Sequence, residues 1–377
     1  MFVELHMIQS FAPSNLNRDD TNNPKDCEFG GVRRARISSQ CIKRAIRTSP
    51  VFAETTEVSI GTRTKRLLGR LREPLVEAGK SVAEATEVLT HFVPLYASKL
   101  ADKDDKDDEV KKTAVLLYIG DEELDHIAEA LLQEWDTLSD KKTMQKLARR
   151  LVKEHKCKTS APDIALFGRM LAEKPVLNLD AACQVAHAIS THPVSMEMDF
   201  YTAVDDLAPD EETGAGMMGV TGFNSACFYR YARIDWRQLV ANLNDDLMLA
   251  KRTVEGFLKA SVAAVPTGKQ NAFAAHNPPD FLLAVVREDG MGWSMTNAFE
   301  KPVRARRASG LVGPSVEAMD AYWGRLAHVY GIDTLAAVAA LPLTRDVSLS
   351  HLDDARCEDL EKWVAAITTA LPGEENA

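Results

Sequence analysis

The chain opens with a short segment in which apolar and polar positions alternate. Val3, Leu5 and Met7 are the apolar positions, and polar side chains separate them. A period of two is typical of a β-strand with one face on a core and the other towards solvent. A polar segment, residues 13–28, comes next. The N-terminus therefore predicts a half-buried strand followed by a long loop.

The apolar period becomes helical between residues 61 and 154. Apolar side chains there recur at spacings of three and four, which puts them on one face of a helix. One such face is formed by Leu67, Leu68, Leu71 and Leu75, and another by Leu124, Ile127, Leu131 and Leu132. A charged run, Ala101–Lys112, indicates a solvated loop or helix start within this segment. The pattern predicts a large helical insertion.

Strand-like and helical segments alternate from Asp163 onwards, with β-branched and aromatic residues marking the strands. The predicted elements are a strand over 163–170, a short helix over 180–190, paired strands over 198–207 and 224–235, a helix over 247–265, a strand over 279–288, and helices over 316–329 and 360–369. The paired strands are joined by a glycine-rich loop, residues 208–222, that contains Met217 and Met218.

The order of these elements indicates the fold class. Strand, helix, paired strands, helix and strand is the order of a ferredoxin-like or RRM-like sheet. We therefore predict an α+β fold with an RRM-like (ferredoxin-like) sheet and a large helical insertion after the first helix. Aromatic and cationic side chains alternate over Phe228–Arg233, which suits base stacking in RNA-binding sheets. The same alternation also fits a strand face that packs on the core.

A basic block over Phe29–Arg47 is the strongest indication of function. Its cationic side chains are Arg33, Arg34, Arg36, Lys43, Arg44 and Arg47. The chain has a formal net charge of −10, so everything outside these six carries −16. An isolated positive cluster on an acidic background predicts a site for a polyanion such as a phosphate backbone. The alternative is a solvated basic helix face.

The local sequence of the basic block also suits phosphate. Gly30 and Gly31 allow the main chain to approach a ligand closely. Ser38 or Ser39 is placed to cap a helix that carries the later cations. The N–H groups at such a helix start attract anions.

A second basic group recurs at helical spacing within the predicted insertion. Its members are Lys141, Lys142, Lys146, Arg149 and Arg150. Spacings of three and four line one helix face with positive charge. This face is either a second polyanion surface or a solubilising one.

Composition narrows the remaining classes of protein. The six cysteines are scattered without a C-x-x-C pair, which argues against a disulfide framework or a structural zinc site and favours a reducing compartment. We find neither a basic leader nor eighteen apolar residues in succession, so we predict a soluble cytoplasmic protein. Hydrolase, ATPase and dinucleotide-binding motifs are missing as well.

Two groups of residues offer catalytic alternatives. Asp19, Asp20, Asp26 and Glu28 precede the basic block, and carboxylates beside phosphate-binding cations are what a metal-dependent nuclease needs. Salt bridges that order a loop explain them better. His187 and His192 would serve as general acid and base for RNA cleavage, or belong to a packed helix terminus.

Several motifs together resemble one family. They are the segments Ser14–Asp20, Lys25–Arg47, His187–Val194, Asp199–Leu207, Phe228–Ala232, Pro266–Pro278 and Ser294–Val303. This combination resembles the CasC-type backbone subunit of type I-E CRISPR Cascade, in the Cas-seven family. The resemblance spans nearly the whole chain and is weakest over about 51–158.

The resemblance implies a hand-like architecture. The RRM-like palm would comprise residues 1–60 and 159–377, and the helical fingers residues 61–158. A protruding thumb loop would lie over 205–223 within the second part of the palm. In this family the thumb folds over a guide RNA and interrupts its pairing at regular intervals.

The resemblance also implies site residues. RNA-binding roles fall on Arg18, Lys25, Ser38, Gln40, Lys43, Arg44, Arg47 and Lys269. Met170, Met217 and Met218 fall at the apolar wedge between thumb and guide. Lys141, Lys142 and Lys146 of the fingers would attract DNA. The family implies neither catalytic residues nor a metal or other cofactor.

The function implied is that of a non-catalytic subunit. It would bind the guide RNA (crRNA), polymerise along it with copies of itself beside other Cascade subunits, and allow target DNA to pair in segments. No membrane partner is expected. Two alternatives stay open: a ferredoxin-like endoribonuclease that processes the precursor guide, and a generic module that binds single-stranded RNA.

Overall fold

The computed structural model describes residues 1–101, 111–203, 217–307, 310–343 and 347–373. The chain divides into two compact units. The first unit consists of Met1–Val51, Val185–Arg233 and Phe257–Pro372. The second consists of Phe52–Gln184, Ile234–Gly256 and Gly373–Ala377. The palm and fingers boundaries given above stay predictions.

The strands, in chain order, are β1 (Phe2–Ser14), β2 (Asp26–Phe29), β3 (Val32–Ile37), β4 (Thr62–Thr64), β5 (Leu117–Ile119), β6 (Cys183–Val185), β7 (Ala188–Ser190), β8 (Glu197–Ala203), β9 (Met217–Asp235), β10 (Phe281–Arg287) and β11 (Leu335–Pro342).

The α-helices are α1 (Ser39–Arg47), α2 (Pro50–Thr56), α3 (Leu67–Glu77), α4 (Val82–Tyr96), α5 (Asp121–Gln133), α6 (Lys141–Glu154), α7 (Pro162–Phe167), α8 (Trp236–Asn242), α9 (Leu247–Ala263), α10 (Gln270–Phe273), α11 (Val312–Tyr330) and α12 (Leu360–Thr369). Among the described residues, no helix is long and apolar enough to cross a membrane.

An antiparallel sheet forms the framework of the first unit. Its strand order is β11-β10-β1-β9-β7-β3-β2, and β8 pairs with the start of β9. In the register of β1 with β10, Val3 lies opposite Val286 and Leu5 opposite Ala284. With its many helices, this sheet confirms the predicted α+β class.

Strand β1 is buried on both faces, so the prediction of a half-buried strand was wrong. It lies inside the sheet between β9 and β10, and its polar positions face buried partners. Glu4 accepts hydrogen bonds from the Tyr231 hydroxyl at 2.6 Å and from the main-chain N–H of Trp293 at 2.8 Å. It also pairs with Arg287 at 3.3 Å. The polar positions therefore mark an internal network and not a solvent face.

A glycine pair closes the hairpin between β2 and β3. Phe29 lies opposite Val32, so Gly30 and Gly31 form a two-residue turn. Both have positive φ, 62° and 71°, as the favoured hairpin turn of this length requires. A Cβ at Gly30 would overlap the main-chain oxygen of Glu300. This turn therefore needs glycine for two independent reasons.

The second unit has a helical core. The predicted apolar faces of α3 and α5 pack in one cluster with residues of α4 and α6, which confirms the helical insertion. Leu67 and Leu71 of α3 and Ile127 and Leu131 of α5 are fully buried.

Two element assignments after residue 162 were wrong. Residues 163–167, predicted as strand, belong to helix α7, which begins with Pro162 at its first position and Asp163 in its first turn. Residues predicted as a helix over 180–190 form β6 and β7. A short apolar run does not distinguish strand from helix, and pairing of β7 with β3 and β9 decides in favour of strand.

Candidate nucleic-acid interface

Helix α1 is built as its sequence predicts. The Ser38 hydroxyl accepts the main-chain N–H of Cys41 at 3.3 Å and caps the helix start. The main-chain N–H of Ser38 donates to the Asn17 side-chain oxygen at 2.8 Å, which ties the cap to the preceding loop. Ile42 and Ile46 pack the helix onto the core. Gln40 and Arg44 are exposed.

A groove runs beside the start of α1, with a volume of about 450 Å³. We call it the α1 groove. It is lined by Leu16, Asn17, Arg18, Asp19, Asp20, Asn22, Cys41, Thr267 and Gly268. The structure thereby brings Arg18, the first turn of α1 and the segment before Lys269 to one place. These parts are far apart in sequence, and the predicted RNA-binding residues Arg18, Gln40 and Lys269 belong to them or follow them directly.

The position of Lys269 follows from Gly268. A Cβ at Gly268 would overlap the main-chain oxygen of Leu16, so this glycine lets two main-chain segments touch at the groove. Lys269 follows with φ of 50°, in the left-handed region, and its side chain is partly exposed. A glycine contact therefore places this cation beside the groove.

The α1 groove is itself lined by one cation, Arg18, and two carboxylates, Asp19 and Asp20, and further cations lie near its residue Cys41. Burial raises the pKa of the Cys41 thiol, while Lys25 and Arg44 act in the opposite direction. Burial lowers the pKa of His187, and Arg36 and Lys25 lower it further. Lys25 thus acts on both groups, so these cations share one region and would attract a polyanion.

The loop carboxylates have structural partners. One Asp19 oxygen accepts the main-chain N–H groups of Thr21 and Asn23 at 2.9 and 3.0 Å. The hydrogen bond from the Thr21 hydroxyl, followed by these main-chain hydrogen bonds, lowers the pKa of Asp19. Asp26 pairs with Arg33 at 3.3 Å. Asp19 and Asp26 therefore order the loop and hairpin next to the groove.

Arg34, one of the six cations of the basic block, does not belong to a basic surface. Its side chain is 0% exposed and donates to the main-chain oxygens of Phe29, Ser190, Phe299 and Glu300 at 2.8–3.3 Å. Its charge is used to hold the fold together. Arg47 is also buried, with 7% exposure, as is the capping Ser38. The assignment of Arg47 and Ser38 to RNA binding stays a prediction.

Strands β8 and β9 form an exposed ribbon that carries two predicted wedge residues. Thr202 lies opposite Met218 and Ala203 opposite Met217, so the two methionines occupy opposite faces. Met218 is 66% exposed. Most of the predicted thumb, residues 205–216, lies outside the described residues.

Sequence analysis missed other apolar residues of this ribbon. Phe200 is 62% exposed and lies opposite Val220, on the same face as Met218 and Met198. The alternation of apolar side chains in β8 is the signal that would have found them. An exposed apolar face on a two-stranded ribbon is unusual and is typical of a contact surface.

Met170, the third predicted wedge residue, belongs to the second unit. It is 85% exposed and lies at a cavity of about 520 Å³. The Arg63 guanidinium lies 4.5 Å from the centre of the Tyr118 ring on the same cavity. Gly168, two residues before Met170, has φ of 76°, and a Cβ there would approach the Leu179 main-chain oxygen to 2.8 Å.

The two histidines considered for catalysis differ in their surroundings. His192 is buried, with Nδ1 2.8 Å from the Pro193 oxygen and Nε2 accepting the Cys227 N–H at 3.1 Å. Burial lowers its pKa. His187 is exposed, and its Nδ1 lies 3.1 Å from an Arg36 nitrogen. Both ring nitrogens of His192 are occupied, so it has no free position for general acid–base chemistry.

The predicted DNA-binding lysines lie on helix α6. Lys141, Lys142 and Lys146 are exposed. Met144, Leu147, Ala148 and Leu151 form the buried face of the same helix. The basic spacing seen in the sequence therefore corresponds to a solvent-facing stripe.

The aromatic strand segment turns mainly towards the core. Phe228 and Tyr229 are buried, and the Tyr229 hydroxyl accepts the Met295 N–H at 2.8 Å. Tyr231 donates to Glu4. These rings are engaged inside the first unit and do not form a stacking surface.

Comparison with known proteins identifies the family. The model of the CT1975-like protein family matches residues 3–366. A solved chain from a "CRISPR RNA-guided surveillance complex, pre-nicking" is 30% identical, with a TM-score of 0.85, and the match covers 98% of this chain and 100% of that one. Another from a "CRISPR RNA-guided surveillance complex" is 25% identical, with a TM-score of 0.75 and the same coverage. The comparison with curated proteins found no match. The chain belongs to the CT1975-like protein family and is a Cas-seven-type subunit, as its motifs indicated.

Proposed function

We propose that this chain is a non-catalytic backbone subunit that binds the guide RNA of a type I-E CRISPR surveillance complex. The similar solved chains belong to RNA-guided surveillance complexes, which supports this assignment. The α1 groove carries the proposal, since it brings Arg18 and the glycine that precedes Lys269 beside a capped helix start. Phosphate contacts of this kind bind RNA without reading its sequence.

Assembly along the RNA belongs to the same proposal. Copies of the chain polymerise head to tail on the guide in the cytoplasm, beside other Cascade subunits. The RRM-like palm carries the α1 groove, the fingers comprise residues 61–158, and the thumb lies over 205–223. Met170, Met217 and Met218 supply apolar surface where pairing is interrupted, so target DNA pairs in segments.

Native mass spectrometry with a guide-length single-stranded RNA tests the assembly. We expect several copies of the protein on one intact RNA, because each copy occupies only a short stretch of phosphates. The RNA from the same sample is analysed for cleavage. A single bound copy would favour a generic RNA-binding module. Discrete cleavage products that disappear in His187→Ala would favour an endoribonuclease.

A charge reversal on α6 tests DNA binding. In the RNA-loaded assembly, Lys141→Glu, Lys142→Glu and Lys146→Glu together should weaken duplex DNA binding and flatten its salt dependence, because phosphate contacts release counterions. Electrophoretic mobility shifts at several salt concentrations measure both effects. Arg237→Glu, on the exposed face of α8, is the control. Equal DNA affinity in the α6 variant and the control would exclude this surface.

A further inference from the structure

Asn15 is a buried residue at a point where distant segments of the first unit meet. It begins the loop between β1 and β2, residues 15–25, which we call the Arg18 loop after its groove-lining cation. The Asn15 side chain is 0% exposed, and its Nδ2 donates to the main-chain oxygen of Asn22 at 3.1 Å and to that of Gly222 at 2.9 Å. One amide group therefore bridges the Arg18 loop and also joins it to the start of β9.

The contribution of Asn15 lies in its two N–H donors. Both neighbours of Nδ2 are main-chain oxygens, which only accept hydrogen bonds, so the amide nitrogen must face them. The Asn15 Oδ1 has no hydrogen-bond partner within the residues that the structure describes. A buried acceptor without a partner is unfavourable, so the oxygen does not explain the presence of asparagine at this position. Substitution by alanine would remove both donors at once.

The ribbon of β8 and β9 approaches the Arg18 loop closely at Gly222. In the ribbon, Gly222 lies opposite Met198. A Cβ at Gly222 would lie 2.4 Å from the Asn23 side-chain oxygen and 3.0 Å from the Met196 sulfur. Glycine therefore allows the ribbon to come close enough to the loop for its main-chain oxygen to accept the Asn15 hydrogen bond.

The segment of Lys269 contacts both the Arg18 loop and the ribbon. A Cβ at Gly268 would lie 2.7 Å from the main-chain oxygen of Asn15. Beyond Lys269, the centre of the Phe273 ring lies 5.8 Å from that of Phe223 at the start of β9. The two sides of the α1 groove and the first residues of the ribbon therefore share one support, and Asn15 lies within it.

We propose that Asn15 is a positioning residue that holds the Arg18 loop in its RNA-binding shape and couples this shape to the ribbon. The inference rests on the proposed function, in which the α1 groove binds the guide RNA. Asn15 is buried and does not touch RNA itself. It orders the loop before RNA arrives, so that binding does not have to supply this order. Because Gly222 belongs to the same set of hydrogen bonds, loosening of the loop also loosens the start of the ribbon.

The RNA affinity of Asn15→Ala tests the positioning role. We expect its affinity for a labelled guide-length single-stranded RNA to fall about tenfold, because RNA binds only the fraction of molecules whose loop is ordered. The slope of log K against log salt should stay unchanged, since no phosphate contact is removed. Arg18→Glu should instead lower this slope. Native affinity in Asn15→Ala, or a slope lowered as in Arg18→Glu, would overturn the inference.

Asn242→Ala is the matched control. Asn242 is 1% exposed, and its Nδ2 likewise donates to two main-chain oxygens, those of Ala165 at 2.9 Å and Asp180 at 2.8 Å. It belongs to the second unit, so its substitution should lower stability without lowering RNA affinity. If the control loses as much RNA affinity as Asn15→Ala, the effect comes from general destabilisation and not from positioning.

Hydrogen exchange of the full-length protein without RNA tests the coupling. In Asn15→Ala, amides of the Arg18 loop and of residues 217–224 should both lose protection, whereas Asn242→Ala should leave them as in the native protein. Loss of protection confined to the loop would refute the coupling to the ribbon. If Asn15→Ala does not fold, Asn15→Ser, which keeps one donor, is measured in its place and should show the same changes at smaller size. If the native protein does not bind RNA, the proposed function fails, while the exchange result still decides whether Asn15 holds loop and ribbon together.

Discussion

Arg18→Glu combined with Arg44→Glu is expected to reduce guide RNA affinity by about 100-fold or more. Both arginines are exposed, and Arg18 lines the α1 groove. Arg44 is close enough to Cys41, another lining residue, to oppose the rise in the pKa of its thiol. Each charged hydrogen bond to phosphate contributes about 1.5–3 kcal/mol, and reversal adds repulsion. For single-stranded RNA, loss of two phosphate contacts should lower the slope of log K against log salt by about 1.4.

A matched variant separates this effect from total charge. Arg237→Glu with Arg325→Glu makes the same change at exposed helix positions outside the groove. Fluorescence anisotropy with labelled RNA at several salt concentrations measures affinity and slope. Circular dichroism checks that α1 survives, because an acidic side chain near its C-terminus costs about 0.3–1 kcal/mol. If both double variants lose affinity equally, the α1 groove is not the RNA site.

The groove was predictable in part. The cap at Ser38, the glycine turn and the exposed cations of α1 are local features, and local sequence specifies them. The convergence of Arg18 and Lys269 came from the family resemblance, since no local rule joins positions so far apart. The burial of Arg34 was not predictable, because its neighbours Arg33 and Arg36 look the same in sequence and only the sheet pairing decides which side chain turns inward.

The fold, like the groove, was predictable where local sequence specifies it and not where distant contacts decide. Long amphipathic helices such as α3 and α5 were predicted correctly, because their period determines both helix and buried face. Segments α7 and β7 were not, since each is a short apolar run whose form depends on what it packs against. The polar residues of β1 led to the wrong prediction of a half-buried strand for a related reason. Glu4 and His6 have partners from distant parts of the chain, which a pattern cannot reveal.

The last prediction concerns stability. Arg34→Ala should lower the free energy of unfolding by about 3–5 kcal/mol, because it leaves buried main-chain oxygens without their donor and opens a cavity. This is a large share of the roughly 5–15 kcal/mol that stabilises a typical domain. Arg34→Lys should recover little, since one ammonium group does not match a planar guanidinium that serves four oxygens.

Arg33→Ala is the matched control for this loss. Arg33 is the neighbour of Arg34 on β3, but it is exposed and pairs with Asp26 at the surface, an interaction that contributes about 0–1 kcal/mol. Urea unfolding followed by tryptophan fluorescence compares the variants. Equal stability of Arg34→Ala and Arg33→Ala would contradict the structural role. Because Arg34 ties the β2–β3 hairpin to the main chain at Phe299, and α1 follows this hairpin directly, its loss should also weaken RNA binding through the shape of the α1 groove.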